Sequence, residues 1–350
     1  MQIAQIAPLY EAVPPRLYGG TERVVAHLCD ALVELGHDVT LFAAADARTK
    51  AQLVAVRDEA IRLDATVLTS DLAAHLTMLH EVRRRSWQFD VMHFHLDLIH
   101  FPMFETLAHK TVTTTHGRLD LKDLPAVYRH WPSFGLVSIS DHQRLALPAA
   151  NWLATVPHGV APDQFRPCAR PRADYLAFLG RMSPEKRPDV AIRIAQRARI
   201  PLRMAAKVDM ADAAYFEAIA RPLLSGPFVE FIGEIGDTDK ADFLGHARAL
   251  LFPVNWPEPF GLVMIEAMAC GTPVIAWNSG SVPEVIDDGV TGFIVETEEQ
   301  ALDAIARVPT LDRQRIRSVF EQRFTSMAMA RAYLEVYSGV SNRRPLRRVS

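Results

Sequence analysis

The chain has 350 residues, 49% of them hydrophobic and 23% charged, with a formal net charge of −3. That length favours two domains over one, and the slight acidic balance argues against a general nucleic-acid binder, which carries a positive excess. The three cysteines, Cys29, Cys168 and Cys270, lie far apart with no zinc or redox spacing. Cys29 and Cys270 fall in apolar helical patterns and read as buried thiols, which suits a reducing compartment. The start, MQIAQIAPLYE, has no basic leader, and no run approaches the roughly 18–20 apolar residues that cross a membrane. The expectation is a cytoplasmic protein, with loose membrane association left open.

In chain order, Gln2–Ala7 reads as a buried strand, followed by a Pro- and Gly-rich loop over 8–20. Thr21–Leu35 places Val24, Val25, Leu28, Ala31, Leu32 and Leu35 on one helical stripe, and Gly36 ends it. Asp38–Ala44 is the next strand. Short β-rich runs follow at Asp90–Phe94, Thr111–Thr115, Leu136–Ser140 and Thr155–Pro157. Strands separated by helical stretches imply parallel pairing and a doubly wound sheet. Pro162–Arg172 carries three prolines and little apolar pattern, so it reads as a link. A second set then opens with Tyr175–Leu179, a helix over Pro188–Arg199, and strands at Leu202–Ala206, Val229–Ile232, Ala249–Pro253 and Pro273–Ala276. The predicted division is 1–162 for the first α/β domain, 173–323 for the second, 324–340 for a closing helix and 341–350 for a tail. That tail holds Arg343, Arg344, Arg347 and Arg348 and reads as a frayed end, with contact to an anionic surface the lesser reading. In such sheets ligands bind beyond the carboxyl ends of strands, so the informative residues belong just after them.

The richest segment is Trp256-Pro257-Glu258-Pro259-Phe260-Gly261 leading to Glu266. Phe260-Gly261 opens a helix through Ala269, which puts Glu258 in the loop before it and Glu266 inside it. A helix start offers unpaired N–H groups and the positive end of a dipole, suited to phosphate or sugar hydroxyls. Two carboxylates there can each accept a pair of hydroxyls. The plainer reading makes Glu258 a cap and Glu266 a solvated residue. Glu266 sits among Leu262, Val263, Ile265, Ala267 and Met268, however, and a buried acid needs partners.

Gly180-Arg181 followed by Lys186 sits at another strand end, where an Arg fork and a Lys point charge can clamp a diphosphate. Tyr18-Gly19-Gly20-Thr21 precedes the first helix; two glycines allow close backbone approach, though the spacing is not GxGxxG. His116 ends a strand. His93-Phe94-His95-Leu96-Asp97 begins like some metallohydrolase sites, but no second His follows the Asp and no distal ligand set emerges. Strand-end packing or acceptor contact is expected of it instead. Asp237-Thr238-Asp239 precedes an apolar run and reads as a helix cap.

Together these residues resemble the GT4 family of retaining glycosyltransferases, whose signature is a Glu, then Phe-Gly, then a second Glu eight positions after the first. The resemblance runs from the Gly-Gly loop to the last helix. It implies the GT-B fold: two Rossmann-like doubly wound α/β domains facing each other across a deep cleft, with the closing helix crossing back to the first. By that resemblance Glu258 faces the donor sugar and Glu266 holds the ribose hydroxyls. Phe260 and the amides of Gly261, Leu262 and Val263 approach the sugar and diphosphate, which Arg181 and Lys186 bind. Gly19 and Gly20 cover the donor phosphate, and His116 is catalytic in the sense of positioning the sugar.

The activity implied is front-face transfer of a hexose, with retention, from a nucleotide-diphosphate sugar to an unidentified glycan, lipid or small metabolite. UDP-glucose is the family-level choice of donor, used as co-substrate with no obligatory cofactor or metal, in carbohydrate biosynthesis. Two other readings stand beside it: a sugar-nucleotide epimerase on the same scaffold, and a non-catalytic sugar-nucleotide-binding protein.

Overall fold

The computed structural model of the chain describes residues 1–66 and 70–341. Of the basic tail expected at 341–350, Ser341 ends the last helix and residues 342–350 lie outside the described residues. The chain divides into two compact units, one of residues 1–159 with the segment from 326, the other of residues 160–325.

The first unit carries one parallel sheet of seven strands: β1 (Gln2–Ile6), β2 (Asp38–Ala43), β3 (Gln52–Ala55), β4 (Val91–Phe94), β5 (Thr111–Thr114), β6 (Gly135–Ser138) and β7 (Trp152–Thr155). Their order is β3-β2-β1-β4-β5-β6-β7. The order reverses between β1 and β4, which pair Ile3 with Val91 through Ile6 with Phe94. This reversal is the switch point where doubly wound sheets bind ligands. Strands buried on both faces explain the apolar runs: Ile3, Ile6, Val91, Met92 and Phe94 are fully buried. β3 has no counterpart in the sequence reading, because QLVA at an edge is too short and too half-buried to stand out from its surroundings.

Numbering only helices of eight or more residues, α1 (Gly20–Glu34) and α2 (Asp71–Arg84) belong to this unit, as does the last helix. α1 buries Val24, Val25, Leu28 and Leu32, the stripe that its 3.6-residue spacing defines.

The second unit repeats the plan with six strands: β8 (Leu176–Arg181), β9 (Leu202–Lys207), β10 (Val229–Gly233), β11 (Ala249–Phe252), β12 (Val274–Trp277) and β13 (Gly292–Val295), in the order β10-β9-β8-β11-β12-β13. Its switch point lies between β8 and β11. Its helices are α3 (Pro188–Ala198), α4 (Asp237–Gly245), α5 (Leu262–Ala269), α6 (Glu298–Arg307) and α7 (Arg313–Arg323). α8 (Ser326–Ser341) then belongs with the first unit.

The Pro-rich run read as a link is part of the second unit. Arg317 on α7 donates to the carbonyls of Phe165 at 2.6 Å and Pro162 at 3.2 Å, and to that of Ala269 at 2.6 Å. One guanidinium therefore satisfies two carbonyls of this loop and the last carbonyl of α5, groups that no secondary structure would otherwise pair.

Candidate active site

In the second unit the residues singled out in sequence come together beyond the ends of β8 and β11. β8 runs through Gly180 and Arg181, so Arg181 is the last strand residue rather than the first loop residue. The following turn closes with the amides of Lys186 and Arg187 on the Ser183 carbonyl, each at 3.2 Å. This turn meets the loop after β11, where the Asn255 amide donates to the Glu185 carbonyl at 2.8 Å.

Across that contact Lys186 forms an ion pair with Glu258, with only 13% and 9% of the two side chains exposed. The Trp256 indole N–H donates to Glu258 Oε2 at 2.7 Å, and the Lys186 ammonium lies 5.3 Å from the Trp256 ring and 5.5 Å from that of Phe252. A cation held by a carboxylate and two aromatic faces is strongly fixed in this partly dry setting. Arg181 reaches Asp212, beyond β9, at 3.4 Å.

Two glycines make the loop geometry possible. Gly261 caps α5 at φ +81°, and a Cβ there would lie 2.9 Å from both Phe252 and Met264. Gly280 has φ +60°, and a Cβ would fall 2.3 Å from the Glu258 backbone. Only glycine adopts these conformations without strain. No side chain caps α5, and Leu262 and Val263 in its first turn are half-buried. Its first amides are therefore available to an anion together with the helix dipole.

Glu266 is buried, as its apolar neighbours imply, and its partner is Lys240 of α4 at 3.3 Å. Lys240 also lies 3.6 Å from Asp237. This corrects the reading of Asp237 and Asp239 as caps: Gly236 is the N-cap, without a side-chain bond, and both aspartates sit in the first turn of α4. There they complement the dipole, and Asp237 pairs with Lys240. Lys240 and Asp212 are functional candidates that sequence reasoning missed. Asp237 and Lys240, three apart on one helix, were the available signal for the first. Nothing local pointed to Glu266, 26 residues on.

The first unit holds a separate cluster made of neutral groups. His116 follows β5; its Nε2 lies 2.8 Å from His95 Nδ1, and its ring stacks on His158 at 5.1 Å. Burial lowers the His116 imidazole to about 3, so it is neutral at ordinary pH. Burial first, and then neighbouring imidazoles, push His93 and His95 well below their usual value. Both are buried and hydrogen-bonded within the unit: His93 to Tyr337 at 2.7 Å and Thr114 at 2.7 Å, His95 to Gln5 at 2.9 Å. The packing alternative for this pair is the one the structure bears out. Among the described residues no group of three or more His, Cys, Asp or Glu side chains is arranged to hold a metal ion.

Gly20 opens α1, with Gly19 as its N-cap. Arg23 in the first turn is buried and donates to the Leu17 carbonyl at 2.8 Å, tying the Gly-Gly loop to the helix. Beside it the Glu22 carboxyl is raised to about 7, chiefly by burial.

Two parallel, doubly wound α/β units with these strand-end residues define a transferase of the GT-B class, and the family models agree. Residues 18–163 match Glycosyltransferase Family 4 and residues 163–319 match Glycosyl transferases group 1. The chain belongs to this group 1 glycosyltransferase family.

It is 34% identical over 215 residues to D-inositol 3-phosphate glycosyltransferase 2 of Catenulispora acidiphila, covering 53% of this chain and 50% of that one. The match thus spans about half the length of that relative. It is 28% identical over 398 aligned positions to the glycogen synthase of Mycobacterium tuberculosis, covering 95% of each. Among solved structures, HepE of Anabaena in complex with UDP and glucose shares the fold at a TM-score of 0.74 and 16% identity, over 97% of this chain and 100% of that one. No helix among the described residues is long and apolar enough to cross a membrane.

Proposed function

We propose that the chain transfers a hexose, with retention, from a nucleotide-diphosphate sugar, with UDP-glucose the first donor to test, to an acceptor hydroxyl. The observation that carries this is the Lys186–Glu258 pair with the uncapped start of α5 beside it in the chain. A fixed cation, a carboxylate and outward amides suit a sugar diphosphate. In this reading Lys186, Arg181 and the amides of Gly261, Leu262 and Val263 take the diphosphate, whose negative charge grows as the sugar–phosphate bond breaks. Glu258 accepts from hydroxyls of the sugar, with Phe260 shaping the turn, and Glu266 accepts from the ribose. His116 accepts from the transferred sugar, and Gly19 and Gly20 cover the phosphate. Relatives that bind UDP and glucose, or carry glycosyltransferase names, support the donor class.

A leaving phosphate oxygen takes the acceptor proton on the same face. The test is a panel of sugar nucleotides. The true donor raises the melting temperature by mass action and releases free nucleotide only when an acceptor hydroxyl is supplied, giving a product of unchanged anomeric configuration by NMR. Conversion of the donor sugar without acceptor makes the chain an epimerase; tight binding without release makes it a binding protein.

A further inference from the structure

A single string of hydrogen bonds joins His116 to the last helix, entirely within the first unit. His116 Nε2 lies 2.8 Å from His95 Nδ1, and His95 Nε2 lies 2.9 Å from Gln5 Oε1. The Gln5 amide nitrogen donates to Tyr337 Oη at 2.9 Å, and Tyr337 Oη lies 2.7 Å from His93 Nδ1. His93 Nε2 then meets Thr114 Oγ1 at 2.7 Å, which meets Tyr333 Oη at 2.8 Å. Gln5 is fully buried in β1, and Tyr333 and Tyr337 stand one turn apart on α8.

The Gln5 amide gives this string a direction. Its oxygen can only accept, so His95 Nε2 carries the proton. A neutral imidazole holds one proton, so His95 Nδ1 is bare and accepts from His116 Nε2–H. Burial keeps these rings neutral. On the other side, Tyr337 accepts from Gln5 and donates to His93 Nδ1, which leaves His93 Nε2–H to donate to Thr114.

We propose that Gln5, held by Tyr337 and acting through His95, is a positioning residue that fixes His116 as the Nε2–H tautomer. His116 Nδ1 is thereby left as a lone-pair acceptor for a hydroxyl of the bound sugar. His116 Nδ1 is buried without a hydrogen-bond partner, a condition that folded proteins seldom leave without a use. The reverse direction would strand an N–H at that spot, and unpaired buried donors are rarer than unpaired acceptors. The sugar half of the proposal rests on the reading of His116 given above; the tautomer half does not.

The test uses the full chain labelled with 15N-histidine, without ligand, and reads the ring nitrogens by long-range proton–nitrogen NMR, with His116→Asn for assignment. The expected wild-type result is a protonated Nε2 and a bare Nδ1 at His116 between pH 5 and 8. Gln5→Leu removes the acceptor for His95 and should move His116 toward the Nδ1–H form. In Gln5→Glu the carboxyl still accepts from His95, ionised or protonated toward Tyr337, and should keep the wild-type tautomer.

In turnover, Gln5→Leu should lower kcat on the order of tenfold, the worth of one hydrogen bond, with donor KM within about twofold, and Gln5→Glu should recover most of that loss. A protonated Nδ1 in the wild type, or an unchanged tautomer in a folded Gln5→Leu, overturns the proposal. If Gln5→Leu fails to fold, the wild-type spectrum alone decides. The expected tautomer combined with full turnover in His116→Ala overturns the sugar half, and with it the role given to His116, while the tautomer assignment stands.

Discussion

The two units solve the same geometric problem with opposite chemistry. Beyond β8 and β11 the second unit collects charge: Lys186 on Glu258, Arg181 on Asp212, Lys240 on Glu266. Along β1, β4, β5 and α8, and just beyond β4 and β5, the first unit collects uncharged imidazole, amide and hydroxyl groups, linked from His116 to Tyr333. Fixed cations suit a diphosphate, whereas an oriented neutral acceptor takes a sugar hydroxyl without adding charge. The difference teaches that charged groups are held here by each other, and neutral ones by proton direction.

The comparison is tested hardest where a charged pair is most buried. Lys240→Met leaves the Glu266 carboxylate without its cation in a site where only 4% of that side chain is exposed. Breaking such a pair from one side destabilises by about 3–5 kcal/mol. The expected result in chemical denaturation is a loss of that order, largely recovered by adding Glu266→Gln. A loss under about 1 kcal/mol would mean that the pair behaves like a surface one.

Next in size is Lys186→Ala. Removing one preorganised partner of a developing charge costs on the order of 2–4 kcal/mol in the transition state, so kcat/KM should fall about 30- to 1000-fold, with Lys186→Arg recovering part of it. Unchanged turnover would strip Lys186 of its role.

The neutral cluster is tested by acid. His116 titrates near 3 when folded and near its ordinary value when unfolded. The unfolded chain therefore binds more protons between about 6.5 and 3. Stability is full above the higher value and is lost as pH falls through that window, by up to about 1.4 kcal/mol per pH unit for each such group. His93, His95, His100 and His158 add the same sign. Glu22, raised to about 7, works the other way, losing stability as pH rises from about 4.5 to 7. Melting temperature should drop from pH 7 to 4, while the pH–rate profile shows no inflection from His116 above pH 5. An inflection near 6.5 that disappears in His116→Gln would mean that the ring is solvated and the cluster is not neutral by burial.

What could be read in advance follows the same split. Arg181 stands beside Gly180 at a strand end, Lys186 and Glu258 in loops that follow strands, and Glu266 in an apolar helical run, so these four were legible as candidates, and the alternation of strands and helices foretold the two sheets. The partners were not. Lys240, Asp212 and Tyr337 lie 26, 31 and 332 residues from Glu266, Arg181 and Gln5, and only the fold brings them in. β3 was missed because it is half-exposed at a sheet edge, and β13 because GFIV is a short apolar run that periodicity alone does not distinguish from a helical segment.

The smallest expected effect tests whether the charged site is set for its ligand or must exchange partners first. Arg181 and Asp212 meet at 3.4 Å with 27% and 13% of their side chains exposed, a pair that solvent partly screens and that is worth up to about 1 kcal/mol. A diphosphate that binds Arg181 competes with Asp212 for the cation, and burial together with Glu185 and Asp209 already holds the Asp212 carboxyl above its ordinary value. Asp212→Asn removes the competitor without removing the cation. Donor KM should fall about two- to fivefold, the factor that 0.5–1 kcal/mol supplies, with kcat little changed. A KM that rises instead would mean that Asp212 orients Arg181 for the phosphate rather than competing with it, and the charged unit would then be built like the neutral one, each ligand-facing group aimed by a partner behind it.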